Sequence, residues 1–343
     1  MVDQEDIVSI ILVNYNGWQD TIECLESVLK LDFKNYNIVV IDNASTDGSA
    51  FYIKEWAKGN IDYNFSSSKI SEAKAFPPED KPIALTVLSY SEISTLTNQQ
   101  NKSTKIVLIE SDLNRGFAGG NNVATKVAKS IFNPYFFWYL NNDTVVERNS
   151  LRELIKYYYE LQSADKKIGI IGAKLRYYTN PDIIQAMAAI YNPWFAAAQH
   201  LGNNEVDRGQ YDRIINNISF DYAVGASMFI NKNFIEEVGV MNEEYFLYFE
   251  ELDWVNRGRK YNYTTAICAN SIIYHKEGAS TGSAQKSDLS LYFDLKNRLK
   301  FTRTFYPFFI LPVYFYELAL LFNNIRKGRF KKAKIILKIL LNI

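Results

Sequence analysis

The sequence is poor in cysteine and has no excess of either charge. Its two cysteines, Cys24 and Cys268, lie far apart in apolar segments, which excludes a disulfide framework or a cysteine metal motif and suits a reducing compartment. Lysine plus arginine number 38, and aspartate plus glutamate also number 38. Because nucleic-acid-binding proteins carry a basic excess, we expect no nucleic-acid partner. Hydrophobic residues make up 48% of the 343, so disorder is excluded for most of the chain.

The sequence also predicts neither a signal peptide nor a membrane-spanning helix. The N-terminus lacks the basic region and cleavage site of a signal peptide. The longest apolar run, residues 307–322, has sixteen residues and is interrupted by Pro312 and Glu317. This is shorter than the roughly 20 apolar residues that a spanning helix requires. We therefore predict a cytoplasmic chain without a transmembrane helix.

Charge is nevertheless distributed unevenly along the chain. Residues 286–343 contain twelve basic and three acidic residues, so residues 1–285 are acidic by the same margin. Residues 330–343 have the pattern of a basic amphipathic helix, which is typical of attachment to an anionic membrane surface. We divide the chain into a body (1–285) and a helical extension (286–343) that attaches to the inner face of the cell membrane. A packed helical hairpin or a homodimer seam is the alternative.

The body alternates short apolar runs with helical patterns, which predicts parallel strands joined by crossover helices. The predicted strands are residues 7–13, 38–41, 105–110, 135–140, 168–173, 222–230, 264–269 and 272–275. The first four of these strands are followed by polar or glycine-rich sequence, and ligands of such sheets bind beyond the carboxyl ends of the strands. The polar residues 59–104 are predicted to be a mobile insertion that is dispensable for chemistry, although residues 83–90 have the pattern of an edge strand.

Three polar motifs follow predicted strands. Asp42 could accept hydrogen bonds from a nucleobase or ribose, or could cap a local turn. Residues 114–122 (NRGFAGGNN) supply glycines for close backbone approach before a helix N-terminus that favours phosphate, or form only a turn. In Asn141-Asn142-Asp143 the carboxylate could bind Mg²⁺ or Mn²⁺, or again belong to a turn.

Further acids and a histidine occur later. Glu250, Glu251 and Asp253 fall within one helical turn after an aromatic run. Acids there favour the helix dipole, but aromatic burial would raise the pKa of one carboxyl group and suit it to general-base chemistry. His275 ends a predicted strand and is either structural or a ligand for an Mn²⁺-type ion.

The order of six motifs is more informative than any one of them. They are residues 10–17 (IILVNYNG), 39–49 (VVIDNASTDGS), 114–121 (NRGFAGGN), 140–143 (LNND), 246–254 (FLYFEELDW) and 274–275 (YH). In this order the chain resembles the inverting glycosyltransferase family 2, particularly its bacterial rhamnosyltransferase-like members, from residue 7 to about residue 282. The resemblance implies the GT-A fold: an α/β, Rossmann-like mixed sheet flanked by helices, here with a C-terminal helical extension.

The resemblance also implies roles for individual residues. Asp42 would contact the base or ribose of a nucleotide sugar. Asp143 would be the metal-binding end of the family's DXD motif, whose first position is Asn141 here, and His275 would be a second ligand of Mn²⁺ or Mg²⁺. The residues expected to line the donor site are Asn14, Asn16, Asp42, Asn43, Asn114, Gly116, Phe117, Gly120, Asn121, Asn141 and Asn142.

The family's tandem acids match Glu250 and Glu251, and Glu251 would be the general base. Many relatives have aspartate at the second position, so the choice between the two glutamates stays open. Asp253 would position the acceptor or hold the helix.

The function implied is transfer of a sugar with inversion, in bacterial surface-polysaccharide assembly. The donor would be dTDP-rhamnose or a UDP-sugar, and the acceptor a hydroxyl of a glycan or of a polyprenyl-linked sugar. Two alternatives stay open. One is a sugar-nucleotidyltransferase, although that class has a glycine-rich phosphate loop where residues 14–18 read NYNGW. The other is an inactive nucleotide-sugar-binding subunit of a membrane assembly complex.

Overall fold

The computed structural model describes residues 7–61, 68–96, 104–276 and 287–341. The strands are β1 (Val8–Asn14), β2 (Tyr36–Asp42), β3 (Leu85–Ser89), β4 (Ile106–Glu110), β5 (Phe136–Leu140), β6 (Thr144–Val146), β7 (Ile168–Tyr177), β8 (Ile184–Ala186), β9 (Ala189–Asn192), β10 (Ala197–His200), β11 (Ser227–Asn231) and β12 (Thr264–His275). The helices are α1 (Trp18–Leu29), α2 (Ser49–Lys58), α3 (Lys69–Lys74), α4 (Gly116–Phe132), α5 (Ser150–Ser163), α6 (Lys232–Val238), α7 (Glu250–Arg259), α8 (Asp288–Phe305), α9 (Ile310–Arg326) and α10 (Phe330–Leu341).

One mixed sheet forms the centre of the described chain, in the order β3-β4-β2-β1-β5-β11-β7-β12-β6, with β8 paired to β7. The strands from β3 to β5 are parallel, and β11 lies antiparallel between β5 and β7. The carboxyl ends of β1, β2, β4 and β5 therefore share one edge. The amino end of β11 joins them there, because Ser227 pairs with Leu140. This arrangement confirms the predicted mixed α/β sheet.

Burial explains why these segments become central strands. Every residue of β2 and β5 is buried, and in β1 only Val13 is partly exposed. Apolar side chains on both faces of a strand require cover on both sides of the sheet, and hydrophobic clusters do pack on both faces. Polar side chains are consequently displaced to the strand ends, where the candidate site lies.

The expected mobile insertion is in part an ordered region of the fold. Residues 68–96 contain α3 and β3, and β3 pairs in parallel with β4 as the predicted edge strand. The physical reason is a buried carboxylate: Glu26 of α1 accepts hydrogen bonds from Lys81 Nζ and from the Glu79 backbone N–H, both at 2.8 Å. Residues 68–96 thereby supply the hydrogen-bond donors for a carboxylate that is buried in the body. Residues 62–67 and 97–103 lie outside the described residues, and the dispensability of the segment for chemistry stays a prediction.

Two strand assignments differ from the sequence-based expectation. Residues 264–275 form one strand rather than two, because a register shift between Cys268 and Ile272 interrupts the apolar pattern without ending the pairing. β6 has three residues and gave no periodic signal, yet it pairs with the end of β12. This pairing brings Thr144 opposite His275, next to Asp143.

The C-terminal helices share the main core. Leu295, Phe301, Val313 and Ile336 belong to the same hydrophobic cluster as Tyr139 of the sheet. The predicted helical character of the extension is confirmed, whereas the domain boundary between residues 285 and 286 lies outside the described residues.

The apolar segment near the C-terminus is longer than the sequence run suggested. Pro307–Arg326 forms a 20-residue helical segment that is long and apolar enough, by length and composition alone, to cross a membrane. The prediction that this segment is too short to span is therefore wrong. The reason is that the helix continues beyond the apolar run, through Asn323 and Asn324.

Candidate active site

A cluster of amides and hydroxyls joins the ends of β1 and β2. Asn14 Nδ2 donates to Asp42 Oδ1 at 2.7 Å and to Ser45 Oγ at 3.1 Å. Ser45 Oγ also accepts the Asn16 backbone N–H (2.9 Å), and Asn16 Oδ1 accepts the Thr46 N–H (2.7 Å). Burial raises the pKa of Asp42, and the hydrogen bonds from Ser45 and Asn14 oppose that rise. The cluster brings Asn14, Asn16 and Asp42 together.

Asn43 connects the end of β2 to the glycine-rich motif. Its Nδ2 donates to Asn114 Oδ1 and to the Gly116 carbonyl, both at 3.0 Å, and its Oδ1 accepts the Arg115 N–H at 3.0 Å. Asn114 Oδ1 in turn accepts the Gly116 N–H at 2.9 Å. These bonds fix the turn that begins α4, so the N-terminus of α4 opens at the same edge as Asp42.

The glycines of this motif allow close contacts. Gly116 has φ +69°, and a Cβ there would lie 2.2 Å from the Phe246 carbonyl oxygen. That oxygen accepts the Phe117 N–H at 2.7 Å. At Gly120 a Cβ would approach Val13 to 3.0 Å. The motif is therefore more than a turn, because its glycines let α4 pack directly against β1 and against the segment before α7.

Asn121 is buried in α4, and its Nδ2 donates to the Phe117 carbonyl at 3.0 Å. This bond lies within the first turns of the helix. The structure therefore gives Asn121 a role in helix packing and places it beside the motif rather than among the clustered side chains at the strand ends.

Asp143 and His275 lie side by side. The distance between Asp143 Oδ1 and His275 Nε2 is 3.2 Å, and Asn141 Nδ2 lies 3.4 Å from the same nitrogen. Burial opposes ionisation of Asp143, but a protonated His275 beside it outweighs burial and lowers the pKa of Asp143. On the far side of the ring, His275 Nδ1 lies 2.9 Å from Gln185 Oε1.

This pair fits a divalent cation. A carboxylate oxygen and an imidazole nitrogen 3.2 Å apart can occupy adjacent positions around one ion, since such bonds are roughly 2.0–2.2 Å long. Because Gln185 Oε1 can only accept, it favours a proton on Nδ1; once His275 is neutral, its Nε2 lone pair would face Asp143 and a shared cation. Within the part of the chain that the structure describes, no group of three or more metal-binding side chains occurs. The remaining ligands would have to come from donor phosphate and water.

Asn142 connects this pair to the first cluster. Its Nδ2 donates to Thr21 Oγ1 at 2.9 Å and lies 3.4 Å from Asn14 Oδ1. Thr21 Oγ1 donates to the same Asn14 oxygen at 2.8 Å. Asn141 and Asp143 thus face His275, whereas Asn142 joins the end of β5 to Thr21 and to Asn14 at the end of β1.

Glu250 and Glu251 begin α7; Glu250 is buried and Glu251 is half-buried. Burial and the neighbouring charge of Glu251 raise the pKa of Glu250 well above its ordinary value, and burial raises the pKa of Glu251. One oxygen of each has no hydrogen-bond partner. A Cβ built on Gly225 would lie 3.6 Å from Glu251 Oε1, and the adjacent Ala226 carbonyl accepts the Asn141 N–H at 3.0 Å. Glu251 therefore lies beside the segment that holds residue 141.

Asp253 faces away from these acids. Its Oδ1 accepts Arg257 Nε at 2.6 Å, and Arg257 Nη1 donates to the Val238 carbonyl at 2.7 Å. Of the two roles left open by the sequence, the structure supports holding the helix, because the buried carboxylate and its partner tie α7 to the end of α6.

Sequence reasoning missed several residues of this region. Gln185 belongs to β8, in a passage that had no recognisable pattern, and Thr21 and Ser45 gave no signal apart from their hydroxyl groups. Lys276 could have been noticed, because it directly follows His275. It forms ion pairs with Asp20 and Glu23 of α1, and these acids raise the pKa of Lys276 against the effect of burial.

Known proteins share the fold of this chain. Two solved structures share the fold: the mannosyltransferase PcManGT from Pyrobaculum calidifontis, in complex with GDP-Man and Mn²⁺ (TM-score 0.51, 13% identity, 97% of this chain and 73% of that one), and GalNAc-T7 with UDP, GalNAc and Mn²⁺ (TM-score 0.54, 14% identity, 85% and 47%). The fold is thus the GT-A fold of glycosyltransferases, as the resemblance implied.

The sequence comparisons narrow the class. Residues 9–70 match the family model described as glycosyl transferase family 2. The low-salt glycan biosynthesis hexosyltransferase Agl10 of Haloferax volcanii is 23% identical over 220 residues, which cover 63% of this chain and 66% of that protein. The chain thus matches just under two thirds of this curated relative's length. Over residues 9–70 the chain is therefore similar to glycosyltransferase family 2, and the closer likeness to rhamnosyltransferases stays a prediction.

Proposed function

We propose that the chain is a metal-dependent inverting glycosyltransferase that uses a nucleotide-sugar donor. The observation that carries this proposal is the placement of an Asp143–His275 pair and of the carboxylate pair Glu250–Glu251, whose pKa values burial raises, at the same edge of the sheet. Support also comes from the two fold relatives, which were solved with a nucleotide or nucleotide sugar and Mn²⁺, and from the curated hexosyltransferase.

The donor would lie across the ends of β1, β2 and β5. Asn14 and Asn16 hold the turn after β2, so that Asp42 and Asn43 face the position of a nucleoside. The N-terminus of α4, held by Asn43, carries a partial positive charge from the helix dipole, which suits phosphate, although the Gly116 and Phe117 N–H groups are already bound to Asn114 and to the Phe246 carbonyl. Asp143 and His275 would hold Mn²⁺ or Mg²⁺. Such an ion, when bound, neutralises the charge that develops on the leaving diphosphate.

The general base is the carboxylate that ionises first. Glu250 loses its proton last, because the charge on Glu251 adds to the effect of burial. Because the pKa of Glu250 carries this additional rise, we assign the general base to Glu251, which lies beside Gly225. Its orphaned oxygen can accept a proton from an acceptor hydroxyl as that hydroxyl attacks the anomeric carbon. The proton passes to Glu251 and the diphosphate leaves.

Direct attack on the face opposite the diphosphate inverts the anomeric configuration. A double displacement would need a second carboxylate as nucleophile. At this edge Asp42 accepts a hydrogen bond from Asn14, and Asp143 is engaged with His275. The arrangement therefore favours a single displacement.

The proposed donor and acceptor follow from the resemblance to the family. We propose dTDP-rhamnose or a UDP-sugar as donor, and a hydroxyl of a glycan or polyprenyl-linked sugar in bacterial surface-polysaccharide assembly as acceptor. The nucleotidyltransferase alternative is less favoured, because the segment after β1 engages the β2 turn through Asn14 and Asn16 instead of presenting a glycine-rich phosphate loop.

The test uses purified protein, Mn²⁺ and a panel of nucleotide sugars. A cognate donor at 100 times its dissociation constant should stabilise the fold by about 2.7 kcal/mol and should be hydrolysed slowly without acceptor. With an acceptor, NMR of the anomeric proton should show inverted configuration. Asp143→Ala and Glu251→Gln should each abolish turnover. Donor binding without any hydrolysis or transfer would instead favour the inactive subunit.

We also propose that the protein attaches to an anionic membrane surface through its C-terminal helices. One face of the segment around α9 exposes an apolar stripe, defined as Phe308, Leu311, Phe315, Phe322 and Ile325, with exposed fractions between 44 and 94%. Their spacings of three, four, seven and three residues correspond to about one or two helical turns and put them on one face. Exposed apolar patches of this size mark interaction sites.

Two features indicate that α9 lies on the surface of the bilayer and does not cross it. The opposite face of α9 buries Glu317, and burial raises the pKa of Glu317 to about 8 although Arg298 of α8 opposes that rise. This face is thus covered by protein. Exposed basic residues follow the stripe in sequence: Arg326, Lys327, Arg329, Lys331, Lys334 and Lys338. Each contributes about 1 kcal/mol near anionic lipid.

Vesicle flotation tests this attachment. We expect binding to phosphatidylglycerol-containing vesicles, weaker binding to phosphatidylcholine alone, and at least tenfold weaker binding of the Phe315→Ser/Phe322→Ser variant, since each buried phenylalanine contributes about 1.5–3 kcal/mol. Phe51→Ser, at an exposed phenylalanine of α2, is the matched control. A stable dimer in sedimentation that does not bind vesicles would assign the stripe to a homodimer seam.

A further inference from the structure

The segment that leads into α7 has an unfavourable backbone. Phe246, Tyr248 and Phe249 have φ values of +36°, +69° and +75°. Such conformations are unfavourable for a bulky residue and persist only where the surroundings enforce them. Phe249 is also the N-cap of α7 and forms no side-chain capping bond. The direction of the first turn of α7, which carries Glu250 and Glu251, is therefore set from outside the helix.

One side chain from the C-terminal region supplies that constraint. Asn297 of α8 is fully buried, and its Nδ2 lies 3.0, 2.8 and 3.1 Å from the carbonyl oxygens of Tyr245, Leu247 and Tyr248. An amide nitrogen has two hydrogens, so three acceptors share them. The opposite amide orientation would place Oδ1 against three carbonyl oxygens, so the hydrogen-bond network fixes the assignment.

The same segment is held from the donor side. The Phe246 carbonyl accepts the Phe117 N–H at 2.7 Å, and the Phe246 ring stacks on Phe293 of α8 with centroids 4.6 Å apart. The strained segment is thus fixed between the start of α4 and one face of α8. The partners in both contacts belong to α4 and α8, and neither belongs to α7.

We propose that Asn297 is a positioning residue for the general base: by binding the carbonyls of residues 245, 247 and 248, it fixes the strained segment that aims Glu251 at the acceptor. This inference rests on the proposed function. It makes α8 a part of the catalytic architecture, although the sequence pattern assigned it to an extension. Without the amide donors the three carbonyls lose their partner, and the segment can relax toward ordinary backbone conformations that turn α7 away.

The experiment compares Asn297→Ala and Asn297→Asp with Thr302→Val in the full-length protein. Thr302 is also fully buried on α8, but its hydroxyl donates within its own helix, to the Arg298 carbonyl at 2.8 Å. We expect both Asn297 variants to lose at least tenfold in kcat, while the dissociation constants for Mn²⁺ and donor change less than threefold. Amide exchange of residues 246–252 should accelerate at least tenfold in these variants only.

Each outcome has a defined meaning. Unchanged kcat and unchanged exchange in the Asn297 variants overturn the proposal, as does an equal loss in Thr302→Val. If the wild-type protein has no transferase activity, the proposed function fails, and the exchange measurement still decides whether Asn297 holds the segment. If the Asn297 variants do not fold, Phe293→Leu removes the ring stack on Phe246 and should show the same kcat loss with retained donor affinity; its absence counts against the proposal.

Discussion

The two sides of the candidate site are built on opposite principles. On the donor side, neutral amides and hydroxyls form a network around Asp42 in which each side chain has close partners. On the acceptor side, Glu250 and Glu251 each have one buried oxygen without a hydrogen-bond partner, and the chain before them is strained. The donor side is thus held by its own hydrogen bonds, whereas the acceptor side depends on packing from α4 and α8.

This difference suits the chemistry of the two substrates. A donor carries its own phosphates and metal ligands, so its site needs a fixed shape and few charges. An acceptor hydroxyl must lose a proton, so its site needs a carboxylate whose pKa is raised by burial. Buried, unpartnered carboxylates destabilise the fold, and strain near them is held by contacts elsewhere. We therefore expect mutations on the two sides to separate binding from turnover.

Glu251→Gln should separate turnover from donor binding most strongly. The amide keeps the shape but cannot accept the proton, so kcat should fall by about 10²–10⁴, while donor affinity measured by calorimetry stays within twofold. Glu250→Gln is the matched control and should retain most of the activity. The opposite result, with Glu250→Gln inactive and Glu251→Gln active, would move the base to Glu250.

Metal affinity should also depend on Gln185, which is not one of the two proposed ligands, Asp143 and His275. Gln185→Leu removes the acceptor for His275 Nδ1, and loss of such a partner typically weakens metal affinity about 10- to 100-fold. Mn²⁺ titration followed by electron paramagnetic resonance measures this without turnover. Gln199→Leu, an exposed glutamine of β10, is the control. Unchanged Mn²⁺ affinity in Gln185→Leu would show that the histidine is oriented by other contacts.

Much of this arrangement could be predicted from sequence, because strand ends and motifs are local. Asp42, Asn43 and Asp143 directly follow apolar runs, so a parallel sheet had to bring them to one edge. The contribution of Gln185 could not be predicted, since the short β8 has no periodicity and its contact spans ninety positions. The role of Asn297 could not be predicted either. An asparagine in a helical pattern gives no indication that it binds three backbone carbonyls about fifty residues earlier.

The acceptor side should also influence stability as a function of pH. The folded-state pKa of Glu250 is raised above its unfolded value of about 4.3. The folded state then binds the proton more tightly, so stability falls as pH rises from the unfolded pKa toward the folded one. Glu250→Gln removes this term. Its melting temperature should match the wild type near pH 4 and exceed it increasingly toward pH 8; a variant that melts lower at pH 8 would contradict the assignment of an uncompensated buried carboxyl.

The smallest effect should come from Ser45→Ala on the donor side. Ser45 Oγ accepts hydrogen bonds from Asn14 Nδ2 and from the Asn16 N–H, but Asn14 keeps its bond to Asp42 and Asn16 keeps its bond to Thr46. Because the network is redundant, we expect a loss of only about 0.5–1.5 kcal/mol in unfolding free energy and a severalfold rise in donor KM, with kcat nearly unchanged. Chemical denaturation and initial-rate kinetics measure both. A kcat loss comparable to that of Glu251→Gln would mean that the two sides are not independent, because a donor-side hydroxyl would then control the base.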